Sequence, residues 1–200
     1  MWRKASWRAL WRRDFSQFAP GYTLITPKSL NSILKVESVK NKSADEVTFI
    51  WNQYHIGRGH VSAVMSTDFF KRFQERAREC PNFVLPLRKP KGYISFFLQA
   101  QMPFLLLTSL EDYKLKGSNA APYLTIAHYT DFADSKGIVL VRGDIVFPSQ
   151  LSDDEGNSLL KYAHSFYIRD DRYLLVKAFT HNSEDFNFKD VVRELDYDYV

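Results

Sequence analysis

The residues able to do chemistry in this 200-residue chain are five histidines, one cysteine and scattered hydroxyls and acids. His55, His60, His128, His164 and His181 include no pair at the helical spacing that turns two imidazoles toward one metal, and with Cys80 as the single cysteine no zinc-finger pattern can be written. Glu184 with Asp185, and Asp153 to Glu155, offer oxygens without the alternating ligands of a calcium loop. No serine stands in a glycine-flanked elbow between strand and helix. Cys80, just before Pro81 at the end of an apolar helical stripe, reads as a packed thiol. Gly57-Arg58-Gly59 has two glycines of a dinucleotide fingerprint but lacks the third, and no Gly-Lys-Ser/Thr occurs, so a tight turn is the reading. The sequence therefore predicts no catalytic residue, no metal site and no cofactor; the question becomes what the protein holds.

Arg88, Lys89 and Lys91 precede Tyr93, Phe96 and Phe97, which invites comparison with the aromatic strand of an RNA-recognition sheet. After Lys91-Gly92-Tyr93 the match decays, and three cations in one turn neutralise few phosphates. An RNA-binding module built on residues 88–97 is thus the alternative, and no nucleic-acid partner is expected. The formal net charge of +4 does not separate partner classes, but its distribution is uneven. Residues 1–13 carry Arg3, Lys4, Arg8, Arg12 and Arg13 with no acid, whereas residues 184–200 are dominated by Glu184, Asp185, Asp190, Glu194, Asp196 and Asp198. Trp7, Leu10, Trp11 and Phe15 recur at helical spacing within the basic head, as in an import presequence or its tail. No apolar run approaches the length of a membrane-spanning helix. Residues 1–20 are accordingly read as a presequence-like or disordered basic amphipathic head, and residues 21–200 as one domain.

Thr26-Pro27 starts a helix over residues 30–37, and Ser43 with Glu46 forms a capping box before the stripe Val47, Ile50, Trp51 and Tyr54. A short strand at 61–65 leads to a helix capped by Thr67 or Asp68, with Phe69, Phe73, Ala77 and Cys80 on one side. From 83 to 110 the pattern is that of strands, with 86–92 as a turn. In the next strand Ile94, Phe96, Leu98 and Ala100 face helices, and Ser95 and Gln99 face away. Met102-Pro103 interrupts the ladder, giving either a hairpin or one bulged strand. Further strands are expected at 123–129 and 138–147, with Gly143 a possible bulge. Ser152 and Glu155 cap a helix through Leu159, Leu160, Ala163 and Phe166; a strand at 173–180 and a short helix through Val191 and Leu195 follow. This order predicts an α/β fold in the broad sense, with α+β close behind: a mixed, largely antiparallel sheet packed against helices.

Leu30 to Glu37, Ile50-Trp51 with Tyr54-His55, Cys80-Pro81 with Phe83, Lys136 to Leu140 and Phe186 to Leu195, in that order and spacing, resemble the ATP11 family of mitochondrial ATP synthase assembly chaperones. The resemblance implies a soluble, non-catalytic matrix protein. Such a protein binds the unassembled beta subunit of the F1 sector, prevents its aggregation, and is displaced by the alpha subunit. A monomer is expected. Candidate contact residues are Tyr54, His55 and Arg58 at a helix end beside the glycine turn, and Phe83, Arg88 and Tyr93 around the basic hairpin; the alternative for Tyr54 and Phe83 is ordinary core.

If the head is targeting material, deleting residues 1–18 lowers the unfolding free energy by less than about 2 kcal/mol. Urea titration of the two forms checks this, and a larger loss assigns the head to the fold.

Overall fold

The computed structural model describes residues 28–196, so the head over 1–20 and its predicted stripe lie outside the described residues. The chain begins with α1 (Leu30–Ile33), α2 (Val36–Val39) and α3 (Ala44–His55), then β1 (His60–Ser66) and α4 (Thr67–Glu79). A meander follows: β2 (Asn82–Lys89), β3 (Gly92–Gln101), β4 (Phe104–Ser109), α5 (Leu110–Lys116), β5 (Leu124–Tyr129), α6 (Ala133–Lys136) and β6 (Ile138–Ile145). The chain closes with α7 (Asp153–Ile168), α8 (Asp170–His181) and α9 (Phe188–Asp196). The strands form one sheet in the order β1-β6-β5-β4-β3-β2, antiparallel at every pairing. The predicted α/β fold with an antiparallel sheet against helices is the one observed.

Local chemistry explains most boundaries. Ser43 Oγ accepts from the Glu46 amide at 3.2 Å while Glu46 Oε2 accepts from the Ser43 amide at 2.8 Å, and Ser152 with Glu155 repeats the exchange at 3.3 and 3.0 Å. The cap of α4 is Ser66, whose Oγ accepts from the Phe69 amide, one residue before the predicted Thr67 and two before the alternative Asp68. That start puts Phe70, Phe73 and Ala77 inward and leaves Phe69 half exposed.

Four expectations are corrected. The single helix over 30–37 is two single turns, because the backbone is extended at Leu34 and Lys35 and the Asn31 side chain accepts from the Val36 amide in place of a helical carbonyl. The turn at 86–92 shrinks to Pro90-Lys91: β2 is an edge strand, where the missing donor of Pro86 is tolerated. Residues 173–180 are helix, not strand, since Tyr173, Val176 and Phe179 are buried at a spacing of three while Leu174 is exposed, with Asp170 and Asp171 in the first turn. Gly143 is not a bulge; it stays in register opposite Val61 and Ile126. The alternatives left open at Met102-Pro103 resolve to a hairpin pairing Gln101 with Phe104.

The inner sheet face carries Phe83, Leu85, Phe96, Leu98, Leu105, Leu107, Leu124 and Ile126, all buried beneath the layer of α4, α7, α8 and α9. Phe83 packs 5.0 Å from the Phe166 ring and 5.7 Å from Phe179. Among the described residues, the outer face is covered only at its two ends. At one end α1, α2 and α3 bury Leu140 and pack on half-buried Val64 and Tyr129 around Trp51; at the other, Tyr113 of α5 lies 4.5 Å from the Phe97 ring.

Phe96→Ala opens a cavity in the enclosed layer and is expected to cost about 3–5 kcal/mol, whereas Gln99→Ala on the half-open face costs well under about 1 kcal/mol. Denaturant unfolding of both variants checks this; equal losses contradict the register.

Candidate functional site

Between the two covers, two cross-strand rows of the outer face remain incompletely covered. The first runs Ser62, Arg142, Ala127, Phe104, Gln101; the second runs His60, Asp144, Thr125, Leu106, Gln99, Asn82. Of these only Arg142 is buried. At the usual strand spacing the second row spans about 24 Å. Half-buried Phe104, Leu106 and Ala127 form an apolar centre, polar side chains occupy the β3 side, and charged groups stand at the β6 side.

That charged end is tightly organised. The Arg142 guanidinium, 3% exposed, donates to both carboxylate oxygens of Asp144, at 2.6 and 3.1 Å to Oδ1 and 3.2 Å to Oδ2. Its Nη2 also lies 2.9 Å from His60 Nε2, while His60 Nδ1 lies 3.1 Å from Asp144 Oδ1. Nε2 therefore accepts from Arg142, Nδ1 donates to Asp144, and the ring is neutral; burial, then the Arg142 charge, push its pKa down. Next to it, the Trp51 indole donates to the Val141 carbonyl at 2.9 Å, and His55 Nδ1 donates to the Trp51 carbonyl at 2.7 Å. His55 Nε2 is buried without a hydrogen-bond partner, and burial lowers the pKa of this ring too.

The sequence-predicted contact residues fall in three places. Tyr54 is 39% exposed at the end of α3 with the Arg58 guanidinium 4.6 Å over its ring, held by the positive-φ turn at Gly57 and Gly59. Arg88 and Tyr93 are opposite one another on the same outer face, two rows beyond the α5 cover. His55 is enclosed beneath α3, and Phe83 is enclosed on the inner face, so these two side chains are packing elements. Sequence reasoning missed Arg142, Asp144 and the Phe104–Leu106 floor. Their signals were present: a charged pair two apart in an apolar strand, and a strand apolar on both faces.

The RNA-recognition alternative loses its stacking platform. Phe96 points into the core and Phe97 is covered by Tyr113, leaving Tyr93 as the exposed aromatic of residues 88–97.

Among the described residues, a six-stranded antiparallel sheet with one face sealed by helices and the other left half open defines a mixed α/β protein with a broad exposed sheet surface. The chain belongs to the ATP11 family, described as "ATP11 protein", whose pattern matches residues 23–192. It is 32% identical over 171 residues to the "ATP synthase mitochondrial F1 complex assembly factor 1" of Homo sapiens, covering 84% of this chain and 52% of that protein. It is 34% identical over 180 residues to "Protein atp11, mitochondrial" of Schizosaccharomyces pombe, covering 84% and 62%. The Danio rerio assembly factor is 33% identical over 171 residues, with 84% and 56% covered. The chain thus spans between half and two thirds of the length of these curated relatives.

A second titratable cluster lies on the sealed side. His128 Nδ1 donates to the Pro103 carbonyl at 2.8 Å, so its Nε2 accepts from His164 Nε2 at 3.0 Å, against the rings of Phe70 and Phe73. Burial lowers the His128 pKa to about 4 and that of His164 well below its ordinary value. Because the folded pKa is depressed, the unfolded chain binds the proton first. The stability contributed by neutral His128 is present above about pH 6.5 and is lost as pH falls toward about 4, amounting to roughly 3 kcal/mol. Urea midpoints from pH 7 to pH 4 should fall accordingly, with a shallower decline in His128→Gln; a flat wild-type profile contradicts the neutral pair.

Proposed function

We propose that this protein is a mitochondrial matrix chaperone that holds the unassembled beta subunit of the ATP synthase F1 sector until the alpha subunit takes its place, acting as a monomer and without covalent chemistry. The observation that carries the proposal is the family match over residues 23–192, with relatives named as F1 assembly factors. Their name supplies the process. The beta subunit as client and the matrix as compartment are the finer reading.

The surface assigned to the client is the half-open band of the outer face, with Phe104, Leu106 and Ala127 as its floor and Tyr54, Arg58, Arg88 and Tyr93 on the same side of the sheet. A ring subunit exposes an apolar interface before its neighbour arrives, and covering it reversibly lowers the concentration of the aggregating species. An apolar centre with a polar surround suits such contact, and its small apolar content suits displacement.

Purified beta subunit is heated mildly with and without the full chain, followed by addition of alpha subunit. Protection relieved by alpha subunit is expected. Leu106→Ser combined with Tyr54→Ala should reduce protection several-fold, while Leu174→Ser, on the helical side and 66% exposed, should leave it unchanged. No protection, or protection that alpha subunit cannot relieve, sinks the client-holding mechanism. Equal effects of the two sets of substitutions move the contact surface off the sheet.

A further inference from the structure

Far from the half-open band, the C-terminal ends of α4 and α8 bring together three side chains with different donor atoms. Glu79 is the last residue of α4, Cys80 its C-cap, and His181 the last residue of α8. One carboxylate oxygen, the sulfur and one imidazole nitrogen all lie within 4.8 Å of one another. The Cys80 Sγ to His181 Nε2 distance is 3.7 Å. Sulfur and nitrogen bound to one tetrahedral zinc ion stand about 3.6 Å apart, given Zn–S near 2.3 Å and Zn–N near 2.0–2.1 Å. The pair is therefore already at ligand spacing.

Two further features favour a cation there. Both helices, of 13 and 12 residues, end at the cluster, so the negative ends of two helix dipoles converge on it. Glu79 and His181 are exposed, and Glu79 also lines an open cleft of about 440 Å³, so an ion reaches the cluster from solvent. Lys177 Nζ lies 3.2 Å from Glu79 Oε1, and the Tyr173 hydroxyl donates to Glu79 Oε2 at 2.8 Å. These hold the carboxylate when no ion is bound. Lys177 is half exposed on its own flexible stem and is free to swing to water.

We propose that Glu79, Cys80 and His181 form a three-ligand site for a thiophilic divalent cation of the zinc class, with water in the fourth position. Binding exchanges the thiol proton for the metal: the S–H bond breaks, the proton leaves to solvent, and the thiolate and neutral imidazole each donate a lone pair. Tyr173 remains as the outer-shell donor that orients the carboxylate. The ion fastens the end of α4 to the end of α8, tying the helical layer together at its rim. Nothing in this site touches the proposed client band, so the two readings stand or fall separately.

The test uses the reduced full chain and Co²⁺ as the probe. One Co²⁺ per chain with a thiolate-to-cobalt charge-transfer band is expected, displaced by Zn²⁺, with Zn²⁺ raising the melting temperature. Cys80→Ser should abolish the band. Because Cys80 is buried and its variant risks misfolding, the exposed His181→Ala is the second arm; it should weaken binding at least tenfold and remove the Zn²⁺-induced stabilisation without changing the metal-free melting temperature. Glu79→Gln should weaken binding less. Absence of the band, or metal affinity unchanged in His181→Ala, overturns the site.

Discussion

Val61 sits where a strand and a helix have both given up a side chain. A Cβ on Gly143 would stand 2.4 Å from Val61 Cγ2 and 3.0 Å from Leu124 Cδ1. A Cβ on Gly156 of α7 would stand 3.0 Å from Ile145 Cδ1 and 3.1 Å from Val61 Cγ1. Glycine inside a helix costs about 1 kcal/mol relative to alanine, and here the cost is offset by the depth at which α7 seats on β1 and β6. That seating delivers His164 to His128, Phe166 to Phe83 and the Tyr167 hydroxyl to the Cys80 carbonyl at 2.7 Å. Because α8 starts two residues after α7 ends, it also fixes where Tyr173 and His181 meet the end of α4. A bulkier residue at Gly156 would press α7 against Val61 and Ile145, and one at Gly143 would displace the Val61 and Leu124 side chains.

Complete coverage of one face makes incomplete coverage of the other affordable. With the inner layer enclosing the large aliphatic and aromatic side chains, the outer covers need only pin the two ends of the sheet. The Trp51 cluster does this at β1 and β6 through a hydrogen bond as well as apolar contact, and Tyr113 does it at β3. Arg142 shows the consequence at the boundary. It lies beside the α3 cover, where water is excluded, and is stabilised by a bidentate carboxylate two residues along its own strand and by a neutral imidazole from the next strand. Such a group is costly to leave unpaired, so the β1–β6 register and the state of His60 are coupled.

What the sequence made legible follows the range of the interactions. Both capping boxes, the hairpin face of β3 and the antiparallel sheet were readable because side chains within a few residues decide them. The residue alternation 96, 98, 100 correctly gave the helix-facing side, whereas Ile94, expected with them, is exposed beyond the helical layer. The helix at α8 was misread because Tyr173, Val176 and Thr180 have strand propensity, whereas burial at every third residue and two aspartates in the first turn decide for helix once α7 packs alongside. Phe83 as a surface contact failed for a related reason: a hairpin position does not reveal whether helices from the C-terminal third will cover it. The half-open band and the Glu79, Cys80, His181 cluster were invisible for the same cause, since each joins residues from strands or helices far apart in the chain. No local spacing encodes a row that crosses six strands.

The character of the half-open band constrains any binding there. Its apolar floor of Phe104, Leu106 and Ala127 is flanked by glutamine, threonine, asparagine and serine, which keep that surface hydrated. Its one buried cation is neutralised within 3 Å by Asp144, so the band carries no strong field to capture partners by charge alone. A partner laid across it gains from shape and scattered apolar contact, with Tyr54 and Arg58 as an exposed stacked pair at its margin. Affinity assembled in this way is modest for the area covered, because polar groups must be desolvated and repaired one by one. Under the client-holding reading that weakness is the useful property, because a loosely held surface is released to any tighter competitor for it.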